Sequence, residues 1–228
     1  MQASELLTRR QVILAGSLGA AAWLVPGVFA EELTRSPSMT EGPFYPDRLP
    51  LDTDNDLILI GNSTTPAVGE ITNLTGRVLT PNGSGLNNLV VEIWQVDGNG
   101  VYLHSRSANA NNRDRNFQGF GRFTTNRRGE YRFRTVKPVS YPGRCPHIHF
   151  KVKRGDRTLL TSQLFISGDP ANRRDELYRR VGGIFERELL SAQWRRVPNS
   201  RIVEYNVAFD IVVGVTPDER RVGNRKTR

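Results

Sequence analysis

Residues 147–153 read His-Ile-His-Phe-Lys-Val-Lys, a strict two-residue alternation. Strand side chains point alternately to opposite faces, so Ile148, Phe150 and Val152 share one face and His147, His149, Lys151 and Lys153 the other. The segment is therefore read as a strand with an apolar face for a core and two imidazoles side by side on the opposite face. The chain has 3 histidines, and two of them meet here. Paired imidazoles on one strand face begin a metal site; they equally suit the solvated face of a surface strand. Just upstream, Tyr141-Pro142-Gly143-Arg144-Cys145-Pro146 adds a phenol, a guanidinium and the single cysteine.

Further strands are read at Asn73–Leu79, before the turn Pro81-Asn82-Gly83; at Leu89–Val96, before the turn Asp97–Gly100; and at Leu159–Ile166. Gly121–Thr125 and Tyr131–Thr135, joined at Asn126–Gly129, are read as a hairpin. Ile202–Val215 is read as one long strand with Tyr205, Val207, Phe209, Ile211 and Val213 on one face. Helical pattern is confined to Asp175–Val181 and Ile184–Leu190. Short strands between Gly, Pro and Asn turns predict an all-β fold over residues 71–215, an antiparallel β-sandwich with Greek-key-like connections and little helix. Residues 31–70 lack periodicity, and Pro43 and Pro46 forbid regular helix there, so an extended arm is expected. Phe44 and Tyr45 are costly to leave in water and are expected to dock on the domain.

Thr8-Arg9-Arg10 precedes an apolar, alanine-rich run to Leu24, and Val28-Phe29-Ala30 has a small-residue cleavage pattern. Residues 1–30 are read as a twin-arginine signal peptide, which predicts export to the periplasm or beyond, and no stable membrane insertion once it is cleaved. Residues 216–228 are charged and expected to be a basic disordered tail. The formal charge is +9, but the arginines are scattered and no recognition helix or aromatic–basic repeat accompanies them. Nucleic acid is therefore not an expected partner, whereas a positive field suits anionic aromatic acids. One cysteine permits no internal disulfide, so the core must hold the fold.

Two imidazoles alone hold a metal poorly. Cys145 as a ligand would favour zinc or copper, and the two methionines, Met1 and Met39, do not sit as axial ligands of a copper loop. No Asp or Glu between His104 and His149 is placed like a facial-triad carboxylate, Asp114 and Glu130 falling in a polar loop and a hairpin; the oxygen donors then left are the phenols of Tyr102 and Tyr141, which with the histidines would suit a hard ferric ion. Strand-end tyrosines also pack at sandwich rims without any metal. The residues taken singly leave open an exported, non-catalytic binding module of transthyretin-like type and an exported copper or zinc protein.

An ordered set of motifs resembles the intradiol ring-cleavage dioxygenases, the family of protocatechuate 3,4-dioxygenase and catechol 1,2-dioxygenase. It comprises Thr40-Glu41-Gly42-Pro43-Phe44-Tyr45-Pro46, Val91–Gln95 with Gly100-Val101-Tyr102, Asn116-Phe117 with Gly119–Arg122, Gly129–Thr135, Tyr141-Pro142, Arg144–Phe150 and Ser162–Phe165. The resemblance implies one non-haem ferric ion per chain, held by Tyr102, Tyr141, His147 and His149. It implies that a catechol-type ring is cleaved with O2 between its hydroxylated carbons, giving a cis,cis-muconate-type dicarboxylic acid. By the same resemblance Tyr141 is the tyrosine that leaves the iron and takes a substrate proton. Arg144 steadies developing charge and Gln163 stands behind it. Gly42, Pro43 and Tyr45 join Arg144 at the substrate. His104 is not a family ligand and is read as a rim residue. A homodimer is the assembly implied. His147 follows Tyr141 by six positions, a shorter interval than in the best-known members, so the substrate does not carry over. The export signal is a second departure.

Overall fold

The computed structural model describes residues 32–214; the expected leader at 1–30 and tail at 216–228 lie outside them. The alternation at 147–153 is a strand, β5 (His147–Arg154). It pairs antiparallel with β2 (Val90–Trp94) on one edge and β6 (Arg157–Ile166) on the other. β3 (Phe120–Thr124) and β7 (Ser191–Ala192) complete a five-stranded sheet in the order β3-β2-β5-β6-β7. The second sheet is built on β1 (Ile71–Leu79), with β4 (Glu130–Val136) antiparallel on one edge. On its other edge β9 (Glu204–Ala208) and β10 (Ile211–Val212) run parallel to β1, and β8 (Arg195–Arg196) pairs with β9. Among the described residues helix is limited to α1 (Glu176–Arg180), α2 (Ile184–Leu189) and short 3₁₀ turns at 110–112 and 170–174. The expected mostly-β sandwich is what forms.

The inner faces meet as the alternation requires. Val91, Ile93, Ile148 and Phe150 of one sheet pack on Leu74, Phe133, Val207 and Phe209 of the other, all buried. Each such side chain contributes about 1.5–3 kcal/mol by leaving water.

Two expectations are corrected. β3 and β4 are not a hairpin: β3 pairs with β2 and β4 with β1, so the turn at 126–129 carries the chain from one sheet to the other. Phe123 and Phe133 meet across it, ring centres 6.4 Å apart, which two strands of one sheet with the same amphipathic pattern would mimic in sequence. The stretch 202–215 is not one strand either. Its register to β1 is the same on both sides of the break, but at Asp210 the side chain takes over the ladder, its Oδ1 accepting from the Arg77 amide at 2.8 Å. The Tyr131 hydroxyl donates to the Phe209 carbonyl at 2.6 Å, and the backbones approach so closely that a Cβ on Gly76 would lie 1.8 Å from that carbonyl oxygen.

The arm is fastened along its length. The Ser36 amide donates to the Val212 carbonyl and the Met39 amide to the Thr161 carbonyl, both at 2.9 Å. It then crosses the outward face of β5, where Phe44 stacks on Tyr102 with ring centres 4.9 Å apart and Tyr45 meets Trp94 edge-on at 5.0 Å. That face is consequently dry: Glu92, Trp94, His147, His149 and Gln163 are all buried. Among the described residues no helix is long and apolar enough to cross a membrane.

The close approach at Gly76 is testable by urea denaturation. Tyr131→Phe should cost about 1–3 kcal/mol by leaving a buried carbonyl short of a donor. Gly76→Ala should cost more, because backbone rather than a flexible side chain must move.

Candidate metal centre

Three local devices deliver the four donors. His147 and His149 project from the outward face of β5, and sheet register places Trp94 and Gln163 on either side of His149. The Trp94 indole stacks on the His149 imidazole, 4.8 Å between centres and 11° between planes. Tyr102 is delivered by the turn after β2. There Asp97 Oδ1 accepts the Asn99 and Val101 amides at 2.9 and 3.0 Å, and its Oδ2 accepts the Asp114 amide. Tyr141 sits on a tight turn: Pro142 and Gly143 are its central residues, Gly143 takes φ +79°, and Tyr141 and Arg144 exchange backbone hydrogen bonds. Proline followed by glycine at positive φ is the chemistry of a type II turn. It sets Tyr141 and Arg144 directly across from one another, and Arg144 Nη1 donates to the Tyr141 oxygen at 3.3 Å.

The four donors converge. The Tyr102 oxygen lies 3.0 Å from His149 Nε2, 3.3 Å from His147 Nε2 and 3.4 Å from the Tyr141 oxygen. The two Nε2 atoms are 3.2 Å apart. His147 Nδ1 is 2.6 Å from the Cys145 carbonyl. A carbonyl can only accept, so Nδ1 carries the proton and Nε2 turns a lone pair into the cluster. Burial, and secondarily Arg144, pushes the His147 pKa down to about 3. His149 is held well below its usual range by burial and then by His147. Both rings are neutral at physiological pH. Burial, reinforced by Tyr141, holds the Tyr102 phenol well above its usual range.

This arrangement fits a cation. Donors 3.0–3.4 Å apart have the spacing of ligands about 2 Å from one ion. Two neutral imidazoles present lone pairs rather than charge, and a bound cation inverts the electrostatics that keep a buried phenol protonated. His149 Nδ1 has no hydrogen-bond partner among the described residues, so its ring is held by the Trp94 stack instead.

Cys145, His147 and Asp175 also bring donor atoms within 4.8 Å of one another, but those atoms are engaged. The Cys145 thiol donates to Asp175 Oδ2 at 3.1 Å, and burial followed by that carboxylate pushes the thiol pKa far up. His147 Nδ1 is committed to the Cys145 carbonyl. Arg144 spans the site, its Nε on Asp175 Oδ2 at 2.9 Å and its Nη2 on Gln163 Oε1. Gln163 in turn donates to the Thr40 carbonyl at 3.2 Å. Gly42 borders the donors, since a Cβ there would stand 3.6 Å from His149 Cε1. Pro43 is exposed beside it. Tyr45 does not join the cluster: its hydroxyl donates to Glu92 at 3.0 Å. His104 lies beyond Phe44, ring centres 5.7 Å apart, away from the donors. Sequence reasoning missed Asp175, Asp97 and the Trp94 stack. Asp175 had a signal, an aspartate at the head of a helical pattern; the other two depend on register and loop closure.

The Dioxygenase_C family model, described as dioxygenase, matches residues 40–214. The chain belongs to the intradiol ring-cleavage dioxygenase family. It is 36% identical over 135 residues to the protocatechuate 3,4-dioxygenase beta chain of Burkholderia cepacia, covering 55% of this chain and 57% of that one. Against the hydroxyquinol 1,2-dioxygenase of Corynebacterium glutamicum it is 28% identical over 178 residues, 70% of this chain and 55% of that one. The chain thus spans little more than half the length of these relatives. A solved dioxygenase domain of a dioxygenase–carbohydrate-binding fusion from Streptomyces sp. SirexAA-E superposes with a TM-score of 0.60 at 27% identity, covering 80% of this chain and all of that one. The family uses a non-haem ferric ion, and the Tyr102, His147 and His149 cluster resembles its site.

The depressed histidine pKa values give a signed expectation. Unfolded histidines take up protons near pH 6.5, whereas folded His147 does so only near 3. Between these values the unfolded chain binds more protons, so stability of the metal-free protein falls as pH drops. Thermal melts from about pH 7 to about pH 4 should record the fall, and His147→Gln should flatten it.

Proposed function

We propose that this chain is a non-haem iron(III) dioxygenase that opens a catechol-type ring between its two hydroxylated carbons. Both atoms of O2 enter the cis,cis-muconate-type product, so no external reductant is needed. The observation that carries this reading is the gathering of a second phenol and two neutral imidazoles around the Tyr102 oxygen, in a chain of this family. Tyr102, Tyr141, His147 and His149 would hold the ferric ion, which supplies Lewis acidity and brings catechol and oxygen together.

The protein's own groups then divide the work. Tyr141 is only partly buried and sits on a turn, whereas Tyr102 is buried under Phe44. Tyr141 is therefore the phenol with freedom to swing away, and its oxygen receives the proton of a catechol hydroxyl. Arg144, 3.3 Å from that oxygen, faces the place where negative charge grows as the ring loses aromaticity, and a fixed cation there lowers the barrier. Gln163 braces Arg144 and ties it to the arm at Thr40. The arm excludes water, which strengthens each of these interactions. The twin-arginine leader supports export of the folded, metal-loaded chain to the periplasm or beyond.

The test is a visible spectrum of iron-loaded protein before and after anaerobic catechol, followed by oxygen uptake. A tyrosinate charge-transfer band that moves to longer wavelength with catechol is expected. A colourless iron protein, or one that takes zinc or copper in preference, would overturn the reading. Tyr141→Phe should keep iron and lose at least about 100-fold in kcat, the scale of a lost acid–base group.

A further inference from the structure

Asp175 stands where the back of the site converges, and no step above uses it. It is 1% exposed. Its Oδ2 accepts from Arg144 Nε at 2.9 Å, the Cys145 amide at 3.0 Å and the Cys145 thiol at 3.1 Å. Its Oδ1 accepts the Tyr178 amide at 3.1 Å and so caps α1. The Cys145 and Tyr178 contacts fix the carboxylate from two sides, leaving it little freedom of its own.

The consequence falls on Arg144. A guanidinium is a rigid planar fork of five N–H donors. Here Nε is held by Asp175 and Nη2 by Gln163, which leaves Nη1 directed at the Tyr141 oxygen. Two anchors in one plane determine the direction of the third donor. Remove the Asp175 anchor and Gln163 is the one anchor left behind the contact to Tyr141, so the fork can turn.

We propose that Asp175 is the positioning residue for Arg144: from the head of α1 it locks the guanidinium in the plane that faces the substrate side of the centre. The assignment rests on the role given to Arg144 above. It makes the segment after β6, which carries no donor to the metal, part of the working scaffold. Asp175 is hydrogen-bonded to none of the four donors; its carboxylate reaches the working face of the site through Arg144, while its bonds to Cys145 and Tyr178 hold the carboxylate itself in place.

Asp175→Asn is the informative variant, because asparagine keeps the size and remains a good helix cap while removing the charge that pairs with Arg144. In the metal-free full chain, the Arg144 Nε–H signal, identified by its loss in Arg144→Ala, should be sharp and slow to exchange with water. In Asp175→Asn it should broaden or vanish, while a dispersed amide spectrum shows that the fold persists at a lowered thermal midpoint. In the iron-loaded protein, Asp175→Asn should lower kcat about 10–100-fold, the usual cost of losing a supporting partner. KM and the iron dissociation constant from chelator competition should each stay close to the wild-type value, because the four donors are unchanged. In an Arg144→Ala background the same substitution should cost less than about a further threefold, because the partner it acts through is gone.

An Arg144 signal that stays protected in Asp175→Asn would overturn the assignment, whatever the activity. So would unchanged kcat, losses that multiply in the double variant, or a fall in iron affinity that parallels the fall in activity. If the wild-type chain binds iron and cleaves no catechol, the dioxygenase reading fails, and the Arg144 signal still decides the positioning one.

Discussion

His147 gives its Nδ1 proton to the Cys145 carbonyl, 2.6 Å away, and thereby commits Nε2 to the interior as a bare lone pair. Much of the centre follows from that bond. A neutral imidazole aimed at a second neutral imidazole and two phenols is a cluster of donors without its own charge. Such a cluster is costly to bury unless something satisfies it. A cation at the common point would relieve that cost. The acceptor side of the bond is fixed as well, since the Cys145 amide and thiol are both held by Asp175.

Dryness is the second condition, and the arm provides it. The outward face of β5 would be an ordinary solvated strand face if the chain began at β1. Phe44 over Tyr102, Tyr45 against Trp94, and Thr40 bonded to Gln163 convert it into an interior. The sandwich therefore has two buried layers. One is the apolar core between the sheets, and the other is a polar layer between one sheet and the arm. The first supplies stability; the second keeps Tyr102, His147 and His149 out of water.

The short interval between Tyr141 and His147 acquires a structural meaning. Tyr-Pro-Gly-Arg closes on itself as a tight turn, so the phenol and the guanidinium become cross-turn neighbours without a longer loop. The donors are consequently bordered by the turn on one side and by the arm at Gly42, beside His149, on another.

The sequence by itself makes legible the mostly-β class, the strand that carries both histidines and their common face, because period-two alternation is a local property. The family motifs, too, were legible as an ordered set. It did not determine which sheet a strand joins. β3 and β4 share the pattern of a hairpin but belong to different sheets, and 202–215 is interrupted where Asp210 replaces a backbone partner of Arg77. Nor could it say that the polar face of β5 is buried, since alternation marks two faces without telling which is covered. Tertiary structure decided that, through contacts between residues far apart in the chain: Thr40 with Gln163, Trp94 with His149, and Asp175 with Arg144. Hydrogen bonds and stacks of this kind leave no periodic trace, and they turn a list of candidate donors into a convergent site.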